Sequence, residues 1–137
     1  MNIINYGGVM PSRKHKGDAG ADVYALREVI IGAHETVCIG LGIGTEIPEG
    51  YVGFILPRSS MAARGLIAHA VPIDSGYRGE LHAIITNVGR GVERIEPGDR
   101  IAQLVIMPCQ TWSFAGIDPS EMLETDRGTG AFGSTGR

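Results

Sequence analysis

The sequence lacks the features that mark several protein classes. No segment approaches the roughly 18 consecutive apolar residues of a membrane span, and the first thirty residues show no signal-peptide pattern. Cysteine is scarce, with Cys38 and Cys109 each inside an apolar run, which predicts two small buried side chains and no disulfide or metal cluster. We therefore expect a soluble protein without a membrane partner, in the cytoplasm, or in the host-cell cytoplasm or nucleus if the source is viral.

Positive charge is also in short supply. The chain has 12 Lys+Arg against 15 Asp+Glu, a net charge of −3. Duplex nucleic acid requires a basic face that displaces counterions, so no nucleic-acid partner is expected. Ten of the twelve cations are arginines, whose fork of donors suits phosphate oxygens. Binding of a small polyanion is one interpretation, and ordinary surface ion pairs are the other.

Uninterrupted segments are short, because glycine and proline break the chain often. The longest stretch free of both is residues 21–31, so long helices are nearly excluded. Strand-like runs rich in Val, Ile, Leu and Thr occupy 21–26, 29–31, 35–39, 51–56, 80–86 and 100–107. Their spacing predicts an all-β sandwich or barrel.

The breaks between these runs predict turns and one helix. Segments 45–52 and 96–101 contain proline and glycine and are predicted as tight hairpin links. The single predicted helix, 59–64, begins on a capping serine, Ser59, and stops at Gly65.

The tail differs from the body. Residues 126–137 contain four glycines and one large apolar residue, Phe132, too little apolar surface to offset the entropy of ordering. We predict a barrel domain, 1–125, and a mobile arm, 126–137. The arm is either a linker or a lid over phosphate groups; a Walker A loop is disfavoured because no lysine precedes Ser134 and Thr135.

Two internal segments could carry chemistry. Arg58 and Ser59 stand between a predicted strand and the helix, which indicates either an anion site or a plain helix cap with a solvent-exposed arginine. Asp74 ends an apolar run before a glycine turn, with Tyr77 three residues on. The aspartate is either a turn-former or, in a hairpin, a carboxylate that activates a water beside a flat aromatic wall.

Five segments together are more specific than any one of them. They are DAGADVYA at 18–25, PRSSMA at 57–62, IDSGYRGE at 73–80, GDRIAQL at 98–104 and RGTGAFGSTG at 127–136. In this order, over nearly the whole chain, they resemble the five motifs of the trimeric deoxyuridine triphosphatases (dUTPases).

The resemblance implies a fold and an activity. The expected fold is a distorted jelly-roll β-barrel, assembled as a homotrimer whose active sites are shared between subunits. The expected reaction is Mg²⁺-dependent hydrolysis of dUTP to dUMP and pyrophosphate, which limits uracil incorporation into DNA and supplies dUMP for dTMP synthesis. Such phosphoryl chemistry needs positioning and charge neutralisation more than covalent catalysis.

The resemblance also implies residue roles. Asp74 would activate the water that attacks the α-phosphorus, Tyr77 would pack under the deoxyribose, and Asp22 would act on the metal through water. The other implied substrate-binding residues are Arg58, Ser59, Ser60, Ile73, Gln103, Arg127, Phe132, Gly133, Ser134 and Thr135. Arg58, Ser59 and Gln103 would hold the phosphates, while the arm would bring Arg127, Ser134 and Thr135 to the γ-phosphate and Phe132 to the uracil.

Two other functions compete with this one. The dCTP deaminases resemble dUTPases in fold, but the position of their proton-shuttling glutamate corresponds here to Ile84, and an aliphatic side chain cannot move protons. The second competitor is a catalytically idle barrel kept for protein binding. A zinc hydrolase is disfavoured because the four histidines are scattered.

Overall fold

The computed structural model describes residues 1–129, which form an almost entirely β structure. The strands are β1 Ile3–Asn5, β2 Ala21–Tyr24, β3 Val29–Ile31, β4 Thr36–Gly40, β5 Ile43–Thr45, β6 Tyr51–Leu56, β7 Leu66–Ala68, β8 Pro72–Ile73, β9 His82–Asn87, β10 Glu93–Ile95 and β11 Arg100–Pro108. One α-helix, α1 Ser59–Ala63, and a 3-10 turn, Pro119–Glu121, complete the described elements. The all-β prediction is confirmed.

The strands form four antiparallel sheets. The largest has the order β2-β11-β6-β8, a second has the order β4-β9-β7, and β1-β5 and β3-β10 form two-stranded pairs. Within residues 1–129, no strand pairs with the next one along the chain. The prediction of hairpins at 45–52 and 96–101 is therefore wrong, because each segment joins strands of different sheets. The loop 74–81 likewise lies between β8, paired to β6, and β9, paired to β4 and β7.

The core lies between the sheets and is built largely from alternate residues of the longer strands, as in β6 and β9, whereas all three residues of β5 are buried. Fully buried side chains include Val23, Ile31, Ile85, Ile95 and Ile101. This alternation is what strands with one face on the core require. No helix in the described part of the chain is long and apolar enough to cross a bilayer.

Both cysteines were predicted to be buried, and this is wrong. Cys38 is exposed and Cys109 is half-buried, and both thiols are free. Cys38 lies on β4 next to Ile39, which is 3% exposed. Since successive strand residues point to opposite faces, an apolar run alone does not show which of two neighbours enters the core.

The chain leaves the barrel after β11. Every described residue from 110 to 129 is exposed, and no strand forms in that range. The exposed side chains include Trp112 at 75%, Phe114 at 100% and Leu123 at 91%. This segment therefore presents large apolar side chains that the core of its own chain does not cover.

Candidate functional site

One cleft collects four of the predicted site residues. Asp22, Arg58, Ser59 and Gln103 line a cleft of ≈ 330 Å³. The register of the largest sheet explains why these residues lie close together, because Gln103 on β11 is opposite both Asp22 on β2 and Leu56 on β6. The chain then runs from Leu56 through Pro57 directly to Arg58 and Ser59. Arg100 also lines this cleft, which we call the arginine cleft.

Asp22 fixes two arginines at this cleft. Its Oδ1 lies 2.7 Å from Arg58 Nε, and its Oδ2 lies 3.2 Å from Arg100 Nη1. Arg58 also donates from Nη1 to the backbone oxygen of Arg100 at 2.9 Å. The Arg58 side chain is only 21% exposed, so it is a held cation at a cleft and not a free solvent arginine. This geometry favours the anion-site interpretation.

Sequence reasoning missed Arg100 as a cleft residue. The sequence signal was Arg100 itself, which lies in the same motif segment as Gln103 and at the start of a long strand-like run. It became meaningful only when the sheet placed β11 beside β2.

Gln103 is held in place by a hydrogen bond to the backbone and by the close approach of Gly20. Its Nε2 donates to the backbone oxygen of Pro57 at 3.0 Å. A Cβ on Gly20 would lie 2.1 Å from Gln103 Oε1 and 2.9 Å from Gln103 Cβ. Gly20 is therefore glycine because a larger residue would displace the Gln103 side chain.

The predicted helix is present and begins at Ser59, but its cap differs from the prediction. Arg58, not Ser59, is the N-cap residue, and it makes no side-chain cap hydrogen bond. Its backbone oxygen accepts from the N–H groups of Met61 and Ala62 at 3.1 and 2.9 Å, so Ser59 already belongs to the first turn. Ser60 is exposed and lies outside the cleft lining.

Asp74 and Tyr77 form a second feature at the end of β8. Ile73 is buried, and Asp74 follows it with an exposed side chain. The Tyr77 N–H donates to the Asp74 backbone oxygen at 3.0 Å, which closes a turn. The backbone of Asp74 therefore forms the turn, and its carboxylate remains available at the surface.

Tyr77 is a fixed wall beside that carboxylate. Its hydroxyl donates to the Glu80 backbone oxygen at 2.9 Å, and a Cβ on Gly79 would overlap the phenol ring. Ile73, Tyr77 and Ile84 line a second cleft of ≈ 200 Å³ that Asp74 also borders. The deaminase alternative loses support here, since the side chain that β9 presents at Ile84 is aliphatic.

Asp74 does not line the arginine cleft of its own chain. Ile73 pairs with Gly53 near the start of β6, which places Asp74 beside Val52, whereas Arg58 follows the far end of β6. The four steps from Val52 to Leu56 alone span about 13 Å. The two features are therefore separated within one chain.

The predicted arm residues are only partly described. Arg127 is exposed in a turn at 126–129. Phe132, Gly133, Ser134 and Thr135 lie outside the described residues.

The donor set fits Mg²⁺ held mainly by substrate. No group of three His, Cys, Asp or Glu residues that could hold a metal occurs within residues 1–129. Mg²⁺ commonly uses one or two carboxylates, several waters and substrate phosphates. The cleft lining has two carboxylates, Asp18 and Asp22. Both oxygens of Asp22 already accept from arginines, which suits contact with such an ion through water.

Comparisons with known proteins agree with each other. The family model described as dUTPase matches residues 7–136. Curated proteins named deoxyuridine 5'-triphosphate nucleotidohydrolase include one from Thermobifida fusca, 40% identical over 93% of this chain and 72% of that protein. The one from Tropheryma whipplei strain Twist is 38% identical over 100% of this chain and 95% of that protein.

Solved structures show the same fold. The Staphylococcus bacteriophage 80alpha dUTPase with dUpNHpp has a TM-score of 0.91 and 31% identity, over 99% of this chain and 98% of that one. A mutant dUTPase from S. aureus phage phi11, described as coordinating a structural Mg(II) ion, has a TM-score of 0.82 and 28% identity, over 88% of this chain and 98% of that one. The expected jelly-roll-like all-β fold is confirmed.

Proposed function

The chain belongs to the dUTPase family, and we propose that it hydrolyses dUTP to dUMP and pyrophosphate. One observation carries the proposal: Asp22 holds two arginines at a cleft while the same chain presents an exposed aspartate beside a fixed tyrosine. The relative from phage 80alpha, solved with dUpNHpp, supports dUTP as the substrate. The activity would limit uracil incorporation into DNA and supply dUMP for dTMP synthesis.

In the proposed mechanism Asp74 is the general base. Its carboxylate accepts a proton from a water while the water oxygen forms a bond to the α-phosphorus. The bond from the α-phosphorus to the bridging oxygen breaks, and pyrophosphate leaves with that electron pair. The exposed position of Asp74 supports this role because no other group of its own turn occupies the carboxylate.

Arg58, Ser59 and Gln103 bind the rest of the triphosphate in this proposal. The ion pairs to Asp22 hold the guanidinium of Arg58 before substrate arrives, so little reorganisation is needed as negative charge moves onto the leaving group. Mg²⁺, when bound to the phosphates, supplies further charge neutralisation. Tyr77 packs against the deoxyribose and rejects a ribose 2′-hydroxyl.

A complete site needs more than one chain in this proposal. The separation of Asp74 from Arg58 along β6 supports an assembly in which one subunit supplies Asp74 and Tyr77 and a neighbour supplies the arginine cleft. As the resemblance implies, this assembly would be a homotrimer. The exposed Trp112, Phe114 and Leu123 supply apolar surface for contacts between subunits. The arm from residue 126 would then close over the substrate.

The experiment that tests the proposal measures pyrophosphate release by the Asp74→Asn variant. Asparagine keeps the shape but cannot take the proton, so kcat on dUTP should fall by about 10²–10⁴ while dUpNHpp still binds. Glu28→Gln, the same chemical change at an exposed ion pair with Arg94, is the matched control and should stay near the parent rate.

The same assay with dUTP, dCTP, dTTP and UTP, with and without excess EDTA, tests the substrate and the metal. We expect release from dUTP alone, suppressed by EDTA. A near-parent rate for Asp74→Asn would contradict the mechanism, and preferential release from another nucleotide would contradict the substrate.

A further inference from the structure

The chain has two lysines, and both lie in one loop. Lys14 and Lys16 belong to the segment RKHKGD at 13–18, which we call the cationic loop. Lys14, His15 and Asp18 line the arginine cleft together with Arg58, whereas Lys16 does not line it. Lys14 thus brings a positive charge to the cleft although it lies outside all five sequence motifs.

The cationic loop is held by its own hydrogen bonds. Asp18 Oδ2 accepts from the His15 N–H at 2.8 Å, and the Asp18 backbone oxygen accepts from Arg13 Nε at 2.9 Å. The base of the loop is closed by Ser12 and Asp22, whose backbones exchange hydrogen bonds of 2.7 and 3.2 Å. Because Asp22 also fixes Arg58, the loop and the arginine are anchored to the same residue.

The charges of the cleft make Lys14 distinct. Arg58 and Arg100 share the carboxylate of Asp22, whereas Lys14 has no ion pair in the described part of the chain. The lining carries three cations, Lys14 and the two arginines, against two carboxylates, Asp18 and Asp22. The lining therefore carries one net positive charge, and Lys14 is its cation without a carboxylate partner among the described residues.

We propose that Lys14 binds the terminal phosphate of the nucleoside triphosphate and so sets the preference for triphosphates over monophosphates. This inference rests on the proposed function. The α-phosphorus must meet the water held by Asp74, which lies outside this cleft, so the cleft receives the β and γ end of the chain. An unpaired ammonium at its rim then meets the phosphate with the most charge.

The test compares Lys14→Gln with Lys16→Gln, the same change two residues away in the same loop but outside the cleft. Calorimetric titration uses dUpNHpp, dUMP and inorganic tripolyphosphate at low salt. Lys14→Gln should bind dUpNHpp and tripolyphosphate about 5- to 10-fold more weakly, with dUMP unchanged. Lys16→Gln should bind both ligands with the parent affinity, and Lys14→Arg should retain most of that affinity. Added NaCl should reduce the difference in affinity between Lys14→Gln and the parent.

Two results would overturn the assignment: equal losses in Lys14→Gln and Lys16→Gln, or an equal loss for dUMP and dUpNHpp. Tripolyphosphate separates this inference from the proposed function. If the parent protein does not hydrolyse dUTP but the contrast between the two variants persists on tripolyphosphate, the anion site stands and the proposed function fails. If the parent hydrolyses dUTP and the contrast is missing, only the role of Lys14 fails.

Discussion

Gly20→Ala tests whether the exact placement of Gln103 matters for activity. The added Cβ would lie 2.1 Å from Gln103 Oε1, 2.7 Å from its Cδ and 2.9 Å from its Cβ. The first two atoms can move by rotation of the side chain, but the third is tied to β11. The substitution therefore expels the amide from its present position and also presses on the strand.

The cost has two parts. Rotation breaks the hydrogen bond from Gln103 to the Pro57 oxygen, worth about 1 kcal/mol, and overpacking against β11 costs about 1–3 kcal/mol. Part of this appears as lower stability, a decrease of several degrees in Tm for a domain of this size. If the phosphates lose the Gln103 contact as well, kcat/KM on dUTP should fall about 10-fold, equivalent to about 1.4 kcal/mol.

A double-mutant cycle isolates the cause. We compare kcat/KM and thermal melting for Gly20→Ala, Gln103→Ala and the double variant. Truncation of Gln103 removes two of the three clashing atoms, so Gly20→Ala should change kcat/KM much less in that background. Gly91→Ala is the control, because a Cβ there meets nothing within 4 Å. Parent-like activity of Gly20→Ala, or an equal loss in both backgrounds, would refute the reasoning.

Three further predictions concern the arm, a strained turn and the shared site. Truncation after Thr125 should leave Tm nearly unchanged and lower the single-turnover rate by about 10²; full activity would make the tail a linker. His34 has φ 61° without being glycine, so His34→Gly should raise the free energy of unfolding by about 0.5–1 kcal/mol in urea titrations. Asp74→Asn and Arg58→Ala, each nearly inactive alone, should regain activity when co-refolded, because mixed assemblies contain some sites with both residues intact; no recovery would argue against sharing between subunits.

The longer strands could be predicted from the sequence because they carry the signal that a strand needs. Residues 51–56 and 100–107 are rich in β-branched and aromatic side chains and match β6 and most of β11. The missed strands have two or three residues, too few to show alternation. β8, for example, is a strand only because Pro72 and Ile73 pair with Phe54 and Gly53 of β6.

The wrong prediction of hairpins at 45–52 and 96–101 also arises because the sequence signal is local. A turn rich in glycine and proline reports that the chain reverses, but not which sheet the next strand joins. After segment 45–52 the chain enters β6, whose partners β11 and β8 lie far along the sequence. Topology of this kind is decided by long-range packing, which a local pattern does not contain.

Most residues of the candidate site could be predicted from the sequence, but the contacts between them could not. The ordered motifs indicated Asp22, Arg58 and Gln103 as one functional group although they are far apart in the chain, and the sheet brings them together. Their individual partners were not accessible to sequence reasoning, since the ion pair from Asp22 to Arg100 depends on the register of β2 with β11. The roles of Phe132, Ser134 and Thr135 stay predictions.

β6 links the two halves of the candidate site and fixes the distance between them. Its start lies beside Asp74, and its end leads into Arg58, with six strand residues hydrogen-bonded to β11 along their whole length. A strand paired in this way cannot shorten, and a slip by one residue would turn its core side chains to the opposite face. Flexing of a single chain therefore does not bring Asp74 and Arg58 together. In the proposed mechanism a substrate needs both residues, so it would bridge two chains, and the rigidity of β6 would couple activity to assembly.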